Sequence, residues 1–247
     1  MNKVMDAELE NLPEFENVPE RVFRPDTAAF LASSVHDMKN SISILIGGLE
    51  RVLGQVSPVS FPARQDLLRM TYEAKRINGN LIQLLTVYKV GENIYPFDPL
   101  PQSINEFALN IFAQQEPVLQ AQGITLEMDY DKELYWQFDG DLVGGVIGNA
   151  LNNAIHYAKG KVKMVIRKTN EMLELRVDDN GFGFPAHMIQ EGIAAMHGTN
   201  FQGGSTGLGL YFSAMVAKLH SCKGRIGEIS LENGGAYGGA CFVLRLP

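Results

Sequence analysis

Two stretches of this chain place an apolar residue every three or four positions over three consecutive heptads. Leu31, Val35, Met38, Ile42, Leu45, Leu49 and Val52 are spaced 4, 3, 4, 3, 4, 3, and Leu67, Met70, Ala74, Ile77, Leu81, Leu84 and Tyr88 are spaced 3, 4, 3, 4, 3, 4. A strand repeats its apolar face every second residue, so this period admits only helices, and helices that bury a seam. Between the stretches, Gly54 to Pro62 includes Pro58 and cannot continue either helix. The spacing therefore predicts a helical hairpin over residues 27–92, with Asp26 or Thr27 able to cap its start. Leu68 and Leu85 widen the apolar surface beyond one seam. A second hairpin could cover it, giving a dimeric four-helix bundle; packing against the rest of the chain is the alternative.

The flanking segments differ in kind. Residues 1–26 hold seven acidic side chains and Pro13, Pro19 and Pro25, the composition of a loosely docked tail, although Leu12, Phe15, Val18, Val22 and Phe23 give it apolar grip for a partner. Beyond Gly91 the pattern mixes strands and helices. Residues 124–128, 162–167, 173–177 and 241–246 alternate like strands, and helices are expected near 103–122, 142–158 and 208–219. Residues 93–247 read as one α+β domain.

Composition excludes several classes. A net charge of −7 argues against sequence-independent nucleic-acid binding, which needs basic surface. The longest apolar run, Ile42 to Leu53, is broken by Gly47, Gly48, Glu50 and Arg51, so no membrane span is expected, and the first residues lack the apolar core of a signal peptide. Cys222 and Cys241 are too few for a disulfide framework or a four-ligand zinc site. A cytoplasmic protein is the expectation.

Four short segments could carry chemistry. With Val35 at heptad position a, His36 is b and Asn40 is f; they stack at i and i+4 on a face that Ser33, Ser43 and Gly47 keep small. Asn149 and Asn153 share a face of an otherwise apolar helix, where amides are costly unless bonded and where their oxygens can meet a hard cation such as Mg²⁺. Asp178-Asp179-Asn180-Gly181-Phe182-Gly183 follows a strand, and its glycines allow a ligand close to the backbone while a carboxylate accepts from an amine. The run Gly203 to Gly209 precedes an apolar helix whose first N–H groups can hold phosphates. It lacks the Lys of a Walker loop, and Gly203-x-Ser205-x-Gly207 lacks the preceding strand and triad order of a hydrolase. Pro185 interrupts a match of Gly181, Gly183 and Ala186 to the dinucleotide fingerprint.

In this order the segments resemble the two-component histidine kinases. His36-Asp37-Met38-Lys39-Asn40 is similar to the phosphoacceptor box, Asn149 to Tyr157 to the N box, Asp179-x-Gly181-x-Gly183 to the G1 box, and Ser205 to Leu210 to the G2 box. The resemblance covers roughly Thr27 to Pro247. It implies that the α+β domain is an α/β-sandwich ATP-binding domain of the gyrase and Hsp90 type. It also implies that His36 is the nucleophile, Asp37 its proton acceptor, and Asn40 an amide linked to dephosphorylating a response regulator. Asn149, Asn153, His156, Tyr157, Asp179, Gly181, Gly183, Thr206, Gly207, Leu208 and Gly209 would bind ATP, with Asn153 and Asn149 on Mg²⁺. Partners would be a response regulator receiver domain, a second copy of the chain, and a separate sensor protein. Neutral imidazole is a competent nucleophile at neutral pH, and phosphoryl transfer then needs positioning and charge neutralisation.

Two positions and one segment depart from the family. Ser41 stands where Pro is frequent, so any bend must arise elsewhere, with Gly47-Gly48 a candidate; Ser205 replaces the first glycine of the G2 box. No Lys or Arg occurs between Val177 and Ala217, leaving His156 and Lys159 as the nearest cations for a γ-phosphate. A phosphotransfer or phosphatase module with weak kinase activity is therefore the alternative function. An ATP-fold regulator of the serine-kinase or anti-sigma kind is a further one, although it has no need of the His-bearing hairpin.

Overall fold

The computed structural model describes residues 27–55, 64–191 and 207–247. Helices α1 (Thr27–Gln55) and α2 (Arg64–Gly91) pack along one another, and Lys75 Nζ meets Glu50 Oε1 at 2.6 Å across them. The acidic tail and the turn between these helices lie outside the described residues.

The seam divides in a way the spacing did not predict. Inward stripes run along positions a and e: Val35, Lys39, Ile42, Ile46, Leu49 and Leu53 on α1, and Leu67, Thr71, Ala74, Asn78, Leu81 and Leu85 on α2, are buried or half-buried. The d residues point away. Met38, Leu45 and Val52, with Met70, Ile77 and Leu84, stand 42% to 57% exposed. A two-helix contact needs only one stripe per helix, so the second half of each 3–4 repeat stays about half exposed among the described residues.

After α2, β1 (Leu100–Ser103) leads into α3 (Ile104–Gln122), capped by the Ser103 hydroxyl and closed by Gly123 in the left-handed region. Next come β2 (Thr125–Tyr130), β3 (Tyr135–Phe138), α4 (Gly140–Tyr157), β4 (Lys161–Thr169), β5 (Met172–Asp179), α5 (Ala186–Glu191) and α6 (Leu208–Leu219). The chain ends with the short strands β6 (Ser221–Cys222) and β7 (Arg225–Ile226), then β8 (Glu228–Asn233) and β9 (Ala240–Leu246). The main sheet has order β2-β4-β5-β9-β8, with β2 parallel to β4 and the other pairs antiparallel. β1 pairs with β3 in a separate ribbon.

Alternation sorts the sheet. Leu173, Leu175 and Val177 of β5 and Phe242, Leu244 and Leu246 of β9 join α3, α4 and α6 in one core. On the other face Glu174 accepts from Arg167 and Arg245. Burial works against its charge, but the two guanidiniums outweigh that and hold its carboxyl below the usual range. The chain is thus α+β, with a helix layer on one face of a mixed sheet.

The connector between hairpin and sheet domain is docked. α2 packs against α6, and Val87 and Tyr95 join the domain core. Asp139 caps α4 through Leu142 N–H at 3.0 Å and also accepts from Asp98 N–H and the Tyr95 hydroxyl. Buried His220 receives the Asp139 N–H on Nε2 at 3.0 Å and lies 2.8 Å from the Val216 carbonyl through Nδ1, while the Phe97 ring meets it edge-on. Only the neutral ring protonated on Nδ1 satisfies both bonds.

Burial pushes the His220 imidazole below its ordinary range, against upward pulls from the Val216 carbonyl and Asp139. A histidine depressed in this way stabilises the fold fully above its unfolded value of about 6.5. That contribution is lost as pH falls below the unfolded value, because the unfolded chain takes the proton first. The urea midpoint is expected to drop between about pH 7.5 and 5.5, more steeply in wild type than in His220→Gln. Parallel slopes for the two proteins would clear His220 of the effect.

Candidate functional site

Helix α4 brings the amides together. Asn149, Asn153 and His156 succeed one another by four and three residues and share a face, while Leu151, Ala154 and Ile155 turn into the core. Asn149 is half-buried; Asn153 and His156 are exposed. Helix α6 starts beside Asn149. Gly207 opens α6 with φ 62°, among the described residues no side chain caps it, and a Cβ on Gly209 would overlap the Asn149 carboxamide. An uncapped helix start offers its first backbone N–H groups to an anion, here next to an amide oxygen that can hold a cation. Thr206 lies outside the described residues.

Strand β5 ends in two aspartates that pleating sends to opposite faces. Asp178 turns to the far face, taking Arg176 Nε and Ala236 N–H at 3.0 Å each. Asp179 turns to the helix side and is almost fully buried. Its Oδ1 accepts from Gly181 N–H at 2.7 Å and Ala240 N–H at 3.1 Å. Among the described residues Oδ2 takes no hydrogen bond, which leaves it for an amine donor. Gly181 passes so near the end of α4 that a Cβ would sit 2.6 Å from the Tyr157 carbonyl oxygen. The end of α4 and the glycine loop therefore meet, and the Tyr157 side chain beside them is exposed.

Two residues that brace the glycine loop were given no role by the sequence, Asn180 within the motif and Asn233 outside it. Asn180 Oδ1 accepts from Lys159 N–H at 2.7 Å and Lys161 N–H at 3.1 Å, stapling the turn after α4 to the loop. Asn233, at the end of β8, bonds both polar groups of the Phe184 backbone. The glycine pairs Gly234-Gly235 and Gly238-Gly239 mark the turn after Asn233, but nothing in the spacing ties it to a loop fifty residues earlier.

The two candidate cations take definite places. Lys159 Nζ lies 4.1 Å from the centre of the exposed Phe182 ring, at the rim of the glycine loop. Such a contact at an exposed site is worth about 0.5–1 kcal/mol, little enough to exchange for a phosphate. His156 meets the Tyr157 ring edge-on at 4.8 Å. Among the described residues no three His, Cys, Asp or Glu gather as a metal site. A cation here would rest on the Asn149 and Asn153 oxygens together with ligand oxygens, a donor set that suits Mg²⁺.

On α1, His36 is exposed, with Nδ1 at 3.3 Å from Asn40 Nδ2 and 3.8 Å from Asp37 Oδ1. Adjacent helix positions do not usually face one another, yet the Asp37 carboxylate reaches the edge of the ring. The Ser41 and Ser43 hydroxyls donate to the carbonyls of Asp37 and Lys39 at 3.0 and 2.9 Å. Bonds of this kind loosen the helix ladder, and they fall closer to His36 than Gly47-Gly48 does.

Comparison with known proteins agrees with this geometry. Residues 138–247 match the family of histidine kinase-, DNA gyrase B- and HSP90-like ATPases. The sensor protein SrrB of Staphylococcus aureus is 25% identical over 226 residues, covering 88% of this chain and 37% of SrrB. The chain thus spans little over a third of that relative's length. Among solved structures, the catalytic domain of histidine kinase ThkA superposes with a TM-score of 0.51 at 21% identity, covering 61% of this chain and 95% of that one. The Acinetobacter baumannii histidine kinase AdeS gives 0.56 at 19% identity, covering 85% and 96%. Among the described residues no helix is long and apolar enough to cross a membrane.

Proposed function

We propose that the chain is a two-component histidine kinase, a reading supported by the match of residues 138–247 to the histidine kinase-, DNA gyrase B- and HSP90-like ATPases and by the likeness to the sensor protein SrrB, and that it phosphorylates its own His36 from ATP and passes the phosphoryl group to an aspartate of a response regulator. The observation that carries this reading is the joint placement of Asn149 against the uncapped start of α6 and of Asp179 with an open Oδ2. Asp179 reads the adenine amine, the Gly207-Leu208-Gly209 backbone takes phosphate oxygens, and Tyr157 covers the base. Asn153 and Asn149 would hold Mg²⁺, which when bound would neutralise phosphate charge.

The Asp37 carboxylate lies on the Nδ1 side of His36; with the proton on Nδ1 facing it, the attacking lone pair belongs to Nε2, and the Asn40 amide, a donor through Nδ2, turns away from Nδ1 in that tautomer. Nε2 forms the N–P bond as the bond from Pγ to the bridging oxygen breaks and ADP leaves. The Nδ1 proton moves toward Asp37. The exposed d stripe of Met38, Leu45, Val52, Met70, Ile77 and Leu84 supports a homodimer in which a second hairpin completes a four-helix bundle.

A second reading has its own support. The segment from Asp178 to Val216 has no Lys or Arg, and Asn40 stands one turn from His36 with an amide able to hold a water against a docked aspartyl phosphate. That favours response-regulator phosphatase activity beside a weak kinase. Incubation with γ-labelled ATP distinguishes the readings. Acid-labile, base-stable label is the expected result; acid-stable label would indicate phosphoserine, and no label would favour the phosphatase module.

A further inference from the structure

The loop from Gly181 to Phe184 has to hold a shape that its own sequence does not enforce. Two of its four residues are glycines, and Gly183 sits at φ +82°, a conformation side chains rarely adopt. Asp179 is fixed from within the loop only through the Gly181 N–H. On the far side the loop has one strong external tie. Asn233 Oδ1 accepts the Phe184 N–H at 2.7 Å, and Asn233 Nδ2 donates to the Phe184 carbonyl at 2.9 Å. This reciprocal pair makes a side-chain amide act as one rung of a strand beside the loop. Gly183 allows the approach, since a Cβ there would lie 2.7 Å from Asn233 Oδ1.

The same hairpin grips Asp179 from its other end. Gly239 N–H donates to the Asp179 carbonyl and Ala240 N–H to its Oδ1. Asn233 and Ala240 are opposite ends of the β8–β9 connection, and Asn233 pairs with Ala240 in the sheet register. The structure assigns Asn233 as a positioning residue for base recognition. By holding Phe184 it fixes the loop against the same hairpin that orients the Asp179 carboxylate, and so sets discrimination for a 6-amino purine over a 6-oxo purine. The assignment rests on the nucleotide reading above.

The test compares ATP with ITP, whose base carries an oxo group where adenine carries its amine, in wild type, Asn233→Ala and Asn233→Asp. The aspartate keeps the volume and the acceptor for Phe184 N–H, but sets a second acceptor against the Phe184 carbonyl. Its added charge repels both triphosphates alike and cancels in the ratio. Calorimetric titration is expected to show wild type preferring ATP. Both variants should keep their fold by circular dichroism and lose about fivefold of the ATP-over-ITP preference, the scale of losing a hydrogen-bonded restraint. An unchanged ratio, a parallel loss for both nucleotides, or an Asn233→Asp protein that no longer folds would each overturn the assignment. Wild type binding neither nucleotide would overturn the nucleotide reading itself, and wild type binding both equally would remove Asp179 as the base reader.

Discussion

Replacing His36 with glutamine is expected to abolish labelling from γ-labelled ATP, a loss of more than about a hundredfold, while ATP affinity stays within about twofold. Glutamine keeps a polar helix surface but offers no nitrogen lone pair able to form the N–P bond. Among the described residues, those proposed to bind nucleotide lie on α4, α6, the loop after β5 and the β8–β9 hairpin, and none of these is α1. Affinity and labelling should therefore separate. Label remaining at His156, His187, His197 or His220 would show that the acceptor lies elsewhere. His220 is the least apt of these, being buried with both ring nitrogens engaged.

The second large effect belongs to Asp179. Asn at this position can still accept the Gly181 and Ala240 amides through its oxygen, so the loop should survive. What changes is the other atom, which becomes an NH₂ facing the adenine amine, two donors in opposition. A charge-assisted hydrogen bond is worth about 1.5–3 kcal/mol, so ATP should bind at least tenfold more weakly, a loss of about 1.4 kcal/mol or more. Calorimetry reads this directly, and undiminished affinity would mean that Oδ2 does not read the base.

Much of this architecture was legible because its periods are unambiguous. The helical stretches 27–55 and 64–91 and the strands 161–169 and 172–179 follow apolar repeats that allow one secondary structure. β8 was missed because it is an edge strand with only Ile229 and Leu231 to mark it, and the β1–β3 ribbon because its order comes from pairing. Which half of the hairpin seam turns inward was also beyond reach. The spacing fixes a and d together, whereas a and e are chosen by how the two helices roll against each other. In the pocket, Asp179 and the glycines announced themselves by local motif. Asn180 and Asn233 did not, because their partners are backbone groups, which leave no trace in the identity of the residues they hold.

The divided seam also separates two jobs along the same helices. Residues at a and e hold α1 to α2, so a change there alters the hairpin itself. Those at d, beginning with Met38 and Met70, are about half exposed, so a change of their apolar side chain costs the hairpin less than a change at a or e. In the proposed four-helix bundle, a lineage could rewrite its choice of mate at six positions while the residues around His36 stayed untouched. After a gene duplication, such a bundle would let sister proteins stop cross-pairing by a handful of apolar exchanges.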